Sequence, residues 1–364
     1  MKEKQITNHQ LGVVLSLSII SLKVLIFPAV VGSYALNDCY LSVFLSLCVD
    51  FMFVMLLVYV IKKNPNKTFY EVLEGSLGKV MSKIIVSLLA VFFVFKALMS
   101  IKELQNYFVR FLFKDIQWSL FVFPLIALLI YIMNKSFRTF ARSAEFFYYL
   151  VVAGAILSVL LPVRELKLYN LLPFMANGAK PIISGSFFTT FQFGDFLVLL
   201  LCMGRFEYTK DTPKTIIKFT LITDLFIMLF FVIFVALFGD MVVNQGLAVS
   251  DVPLYSNMAS NNGRLEWFSI VIWTIVLISQ TGLMLVCTVE CVEYVTSIKS
   301  RFWISVGVSV VIFLLLYAFY LNFADAIKIV CSAVFASSFM AFKVLTMLFL
   351  LIASRGRKQY EKLN

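Results

Sequence analysis

The chain has 364 residues, 61% of them apolar and 14% charged, where a soluble domain carries roughly a quarter charged residues. That balance excludes a soluble enzyme, a disordered chain and a disulfide-rich secreted domain, and it leaves room for about ten membrane spans of ~20 residues each. The net charge of +11 points to basic loops on the cytoplasmic side of a membrane rather than to a nucleic-acid partner. With one His, and six Cys scattered through apolar stretches, neither a metal site nor a cofactor is expected.

Ten apolar runs between polar breaks predict an all-α integral membrane protein of ten transmembrane helices, because lipid offers the backbone no partner outside a helix. The first run, 9–36, opens on a capping box, Thr7-Asn8-His9-Gln10, which makes His9 an interfacial residue rather than a catalytic one. No cleavable signal is expected: Lys2–Gln10 is polar, and the run behind it is too long for a signal's apolar core. Lys23 and Pro28 interrupt this run near its middle, and proline removes a helix hydrogen bond. The second run covers 39–61. Thr68-Phe69-Tyr70-Glu71 is another capping box, with Val72, Leu73, Leu77 and Val80 following at helical spacing. Residues 68–80 therefore read as a cytoplasmic interfacial amphipathic helix.

The third run, 84–112, carries Lys96, Ser100, Glu103 and Tyr107 at i, i+4, i+7 and i+11, one polar stripe along one helix face. It reads either as a cavity lining or as a buried Lys96–Glu103 ladder. Runs 117–134 and 143–162 complete a first set of five. In the sixth, 182–204, Gly185-Ser186, Thr189-Thr190, Gln192 and Gly194-Asp195 break the apolar pattern. Run 215–238 leads to an outer loop, 239–265, which is either a lid over a vestibule or a plain connector. The eighth run, 266–289, offers Trp273, Gln280 and Thr281 at mid-depth; 302–321 and 325–353 finish the series. With the N-terminus inside, twenty of the 31 Lys and Arg fall in cytoplasmic segments and seven in outer loops. That asymmetry predicts that both termini are cytoplasmic.

Runs one and six open two halves of five, 9–162 and 182–353. An odd number of spans inverts the second half, and paired interruptions in inverted halves point to a binding site at the midplane. Charged residues inside a bilayer are costly, so they face partners or water. On this reading Lys23 and Asp195 lie close together and bracket a ligand. The ligand-binding set comprises Lys23, Val24, Leu25, Phe27 and Pro28 from the first run, and Ser100, Glu103 and Tyr107 from the third. The sixth adds Thr189, Thr190, Gln192 and Asp195, and the eighth adds Trp273 and Gln280. No nucleophile–base pair or metal cluster is visible, so no enzyme is expected.

Several segments along the chain carry a family resemblance. They begin with Ile6-Thr7-Asn8-His9-Gln10, Phe27-Pro28, Asn37-Asp38-Cys39-Tyr40-Leu41-Ser42 and Leu77-Gly78-Lys79. Asn170-Leu171-Leu172-Pro173, Phe193-Gly194-Asp195 and Arg264-Leu265-Glu266-Trp267 ahead of Trp273 continue the set. By their order and spacing, over roughly 5–355, the chain resembles the B subunit of the GerA-type spore germination receptors, in the amino acid–polyamine–organocation transporter superfamily. The resemblance implies a LeuT-like fold of two inverted five-helix repeats with helices one and six broken. It also implies a nutrient-germinant site among spans one, three, six and eight. The implied partners are a membrane A subunit and a lipoprotein C subunit, in the inner membrane of a dormant spore. Related transporters carry small residues just before the first break, where this chain has Ser21-Leu22-Lys23; an ionised Asp195 is expected to attract a ligand ammonium group. The implied function is a germinant-sensing subunit. The alternative on the same fold is a proton- or cation-coupled amino-acid symporter.

Overall fold

The apolar runs fold as helices, which satisfy backbone N–H and C=O groups without water. A computed structural model describes residues 6–111, 118–246, 248, 251–252, 266–318 and 323–360. The helices are α1 Asn8–Ile20, α2 Phe27–Ala35, α3 Cys39–Lys63, α4 Phe69–Phe111, α5 Trp118–Met133, α6 Phe137–Leu160 and α7 Ala179–Phe188. They continue as α8 Val198–Cys202, α9 Thr212–Phe238, α10 Glu266–Thr296, α11 Arg301–Ala318, α12 Phe323–Val330 and α13 Ala333–Tyr360. Among the described residues, seven helices are long and apolar enough to cross a membrane, and the bent pair Ala179–Phe188 and Thr190–Cys202 makes eight. The chain is thus a multi-pass membrane protein. By length and composition alone the count stops short of ten, because the first run is split into α1 and α2 and the fourth gives only the shorter apolar helix Leu120–Met133.

Both capping boxes form. Thr7 Oγ1 accepts from the Gln10 N–H and Gln10 Oε1 from the Thr7 N–H, each at 3.1 Å. The box at Thr68 and Glu71 closes at 2.8 and 3.2 Å. His9 Nδ1 lies 2.8 Å from Glu145 Oε1, which ties the start of α1 to α6. From Leu11 onward α1 is buried to its end, packed against α6 and α9; a helix that is apolar all round belongs in the middle of a bundle.

The amphipathic run and the third span join into α4. Gly78, at φ +76°, marks the joint in a conformation that side chains disfavour. Phe69, Val72 and Leu73 are buried in the protein, and Tyr70 stacks on Tyr294 at the far end of α10, centroids 4.3 Å apart. Lys83 donates to the Val295 carbonyl at 2.7 Å. The start of α4 thus meets the end of α10, and the two helices pack antiparallel. The last run, expected as one helix over 325–353, is divided. Helix α12 ends at Val330, and Ser332 restarts the chain by accepting the Phe335 N–H at 3.3 Å, a side-chain cap that needs no Gly or Pro.

Candidate ligand site

The first break is built from Ser21 to Ile26. Helix α1 stops at Ile20, a 3₁₀ turn covers Ser21–Lys23, and a further turn, 24–26, leads into α2. Pro28 sits in the first turn of α2, where a missing N–H costs nothing, so it starts the second half-helix instead of kinking the first. The freed backbone groups find partners elsewhere. The Ile26 N–H donates to Glu103 Oε1 at 3.0 Å, and the Leu25 carbonyl accepts from the Ala248 N–H at 2.9 Å. Glu103 therefore caps α2, at an end where the helix dipole also favours a carboxylate. Val242, Ala248 and Val252 are fully buried, and Gly239–Asn244 packs on α2. Residues 247, 249–250 and 253–265 of that loop lie outside the described residues, so its two readings, lid and plain connector, both stay open.

One prediction arises here. Glu103→Gln keeps an acceptor for Ile26 and is expected to melt close to the wild type. Glu103→Ala leaves that N–H unbonded and is expected to cost about 1–3 kcal/mol. Thermal melts of the purified variants in detergent decide it, and equal melting temperatures would remove Glu103 from the capping role.

The second break separates α7 from α8. Turns at Thr190–Gln192 and Asp195–Leu197 flank Phe193-Gly194, and the halves are bent by 50°. Gly194 has φ +96°, a left-handed conformation that favours glycine, and its N–H donates to Asp50 Oδ2 at 2.8 Å. Asp50 Oδ1 in turn faces Lys343 Nζ of α13 at 3.4 Å. The two breaks share one device: a carboxylate from a neighbouring helix takes the N–H that the break releases.

Between them lies an ionic centre. Asp195 Oδ2 accepts from Lys23 Nζ at 2.7 Å, and Oδ1 meets Lys96 Nζ at 2.9 Å; all three side chains are at most 1% exposed. Lys23 also donates to the Ile19 carbonyl at 2.7 Å and Lys96 to the Gln192 carbonyl at 3.1 Å. Gln280 Nε2 stands 3.4 Å from Asp195 Oδ1. The rings of Phe193 and Phe191 lie 5.2 Å from the ammonium groups of Lys23 and Lys96 respectively, close enough for cation–π attraction. Phe27 packs edge-on against Phe193 and Phe231.

The centre thus gathers Lys23, Gln192, Asp195 and Gln280 from the expected set. Lys23 and Asp195 touch, so in this conformation they pair with one another instead of bracketing a space. Lys96 reaches across to Asp195, and the Lys96–Glu103 ladder does not form. Val24 and Leu25 are buried in the first break. Ser100 and Glu103 extend the α4 face toward α2, while Tyr107, eleven residues beyond Lys96 and about 16 Å along the helix, is buried away from the centre. Trp273 is fully buried on α10, two turns before Gln280. Thr189 bonds the Gly185 carbonyl at 2.6 Å and Thr190 faces the Met340 sulfur at 3.9 Å, so these two finish α7 and meet α13. The roles of Lys96 and Asp50 escaped the sequence because their partners are in other helices. A cavity of about 320 Å³ opens elsewhere, between α5, α6 and α10, and none of the centre's residues lines it.

The fold is similar to that of a Na+-coupled sialic acid symporter in its substrate-bound outward-open state, with TM-score 0.60 and 14% identity over 97% of this chain and 79% of that one. It is similar to MhsT in complex with L-phenylalanine, with TM-score 0.58 and 14% identity over 94% and 87%. A manganese transporter of Eremococcus coleocola gives TM-score 0.58 and 10% identity over 93% and 78%. Likeness at such identities shows the fold alone, and it is the LeuT-like transporter fold. No curated protein matches the sequence. The family model described as spore germination protein, a permease family, matches residues 5–324. A match along nearly the whole chain, on a fold shared with transporters, makes this permease-like membrane protein a member of the spore germination protein family.

Proposed function

We propose that the protein is the nutrient-sensing subunit of a spore germination receptor, binding a small molecule, an amino acid in the simplest case, between the two broken helices. The observation that carries this reading is the Lys23–Asp195–Lys96 centre, buried where both breaks meet. A ligand shifts a conformational equilibrium only through unequal affinity for its states. Here each break gives a backbone N–H to a carboxylate of a neighbouring helix, Glu103 or Asp50, and a ligand that competes for those bonds favours a different helix arrangement. The halves 9–162 and 182–353 are the inverted repeats that move, and the change passes to a membrane A subunit and a lipoprotein C subunit. Residues 68–80 and both termini face the cytoplasm, and the membrane is the inner membrane of the spore.

A proton- or cation-coupled amino-acid symporter is the second reading, favoured by the transporters that share the fold. Reconstitution alone in vesicles separates the two. With labelled amino acids and an imposed proton or Na+ gradient, a receptor subunit binds without accumulating label. Gradient-driven uptake by the isolated chain would establish the symporter instead.

A further inference from the structure

The turn between α5 and α6 gathers cations without acids. Lys135, Arg138 and Arg142 fall within eight residues, and no Asp or Glu occurs from 134 to 144. Glu145, the next acidic residue, is held by His9 and Gln10 at 2.8 and 2.9 Å. Beside this turn opens the cavity of about 320 Å³ between α5, α6 and α10. Phe140, Phe147, Ile275 and Ile278 give it apolar walls, while Lys135 and the Thr139 hydroxyl line it at the turn. Lys135 Nζ stands 4.3 Å from the centroid of the Tyr131 ring, a cation–π contact that sets the ammonium at the cavity's edge. Thr139 Oγ1 lies 2.9 Å from Ser136 Oγ, so one of these two hydroxyl protons is left for a ligand. Helix α6 also begins here, and the start of a helix favours an anion. The cavity opens sideways: Leu128 and Tyr131 line it and are 41% and 61% exposed, on an α5 face that they share with Leu120 and Phe123. In an apolar helix of a membrane protein such a face meets acyl chains rather than water.

We propose that this crevice binds one phospholipid with a net negative headgroup. The phosphate goes to Lys135 and the Thr139 hydroxyl, with Arg138 and Arg142 adding to the positive field. One acyl chain enters between the aromatic rings of α6 and the two isoleucines of α10. Basic pockets between spans suit anionic headgroups, since each cation near the headgroup strengthens binding by about fivefold. The lateral opening selects a lipid over a soluble phosphate, which would have to leave water to reach it. The lipid meets α10 two residues before Gln280, and so bears on the helix that reaches Asp195. The inference is independent of the germinant reading.

The test is native mass spectrometry of the full chain in detergent, titrated with equal amounts of dioleoyl phosphatidylglycerol and dioleoyl phosphatidylcholine. The first lipid bound is expected to be phosphatidylglycerol, preferred by about fivefold or more. Lys135→Gln is expected to lower that preference by about fivefold, the share of one basic residue. Ile278→Trp fills the crevice from α10 and is expected to remove the first binding event. Met52→Trp, on a face of α3 where Met52 is 68% exposed, is expected to leave it intact. A smaller preference in the wild type overturns the inference and needs no variant. So does a wild-type preference in Lys135→Gln, whose change lies in a turn and spares the packed helices, or a first lipid retained in Ile278→Trp. Displacement of the lipid by excess glycerol phosphate would assign the cations to a soluble phosphate and overturn the lipid as well.

Discussion

Asparagine in place of Asp195 is expected to destabilise the protein by about 3–5 kcal/mol, the scale for removing one partner of a buried ion pair. The change strips the carboxylate from two lysines that are no more than 1% exposed, and neither Ile19 nor Gln192 offers more than a neutral carbonyl in its place. Replacing all three together, Lys23→Met, Asp195→Leu and Lys96→Met, removes the whole charged group. That triple variant is expected to recover most of the loss, because a buried ionic cluster exchanged for apolar side chains of similar volume is often neutral. Lys96→Met alone leaves a one-to-one pair and is expected to be mild. Melting of the four proteins, followed by size-exclusion chromatography in detergent, checks the order. A wild-type melt for Asp195→Asn would show that the two lysines are not held by this carboxylate.

The second large effect is expected at Asp50. Its two oxygens serve different partners, the Gly194 N–H at 2.8 Å and the Lys343 ammonium at 3.4 Å. Asp50→Ala removes both at once, leaving Lys343, 1% exposed, with no carboxylate; the expected loss is again about 3–5 kcal/mol. Asp50→Asn drops the charge but keeps an acceptor for Gly194. It is expected to retain about 1–3 kcal/mol relative to the alanine variant, the scale of an unsatisfied buried N–H. If both variants melt at one temperature, the Gly194 bond does not hold the second break.

How far these features could be read from the amino acids depends on whether their causes are local. The broken first and sixth runs were legible, since Lys23, Pro28 and the Gly-, Ser- and Thr-rich stretch 185–195 cannot continue an apolar helix comfortably. The place of the first break was legible only to within a turn. Pro28 draws the eye, yet α1 has already ended at Ile20, and proline's own preference is for the opening of α2. Both capping boxes were legible because their bonds span three residues. The pairing of Lys23 with Asp195 followed from the cost of leaving either one alone in lipid. The sequence left Lys96 open between a cavity lining and a ladder with Glu103, because helical periodicity records which residues share a face and says nothing of what that face meets. Asp50 and Lys343 posed the same difficulty: two charges in separate apolar runs, joined only when α3, α13 and the second break come together. The gap between α12 and α13 was hidden because Ser332, an unremarkable polar residue, caps the second helix.

The bond between Ala248 and the Leu25 carbonyl gives the chain after α9 a mechanical connection to the heart of the molecule. An epitope or peptide spliced in near Ala248 will pull on that stitch, so this stretch is a poor home for an inert label. By the same token, a dye fixed there is expected to change its emission when the interior rearranges.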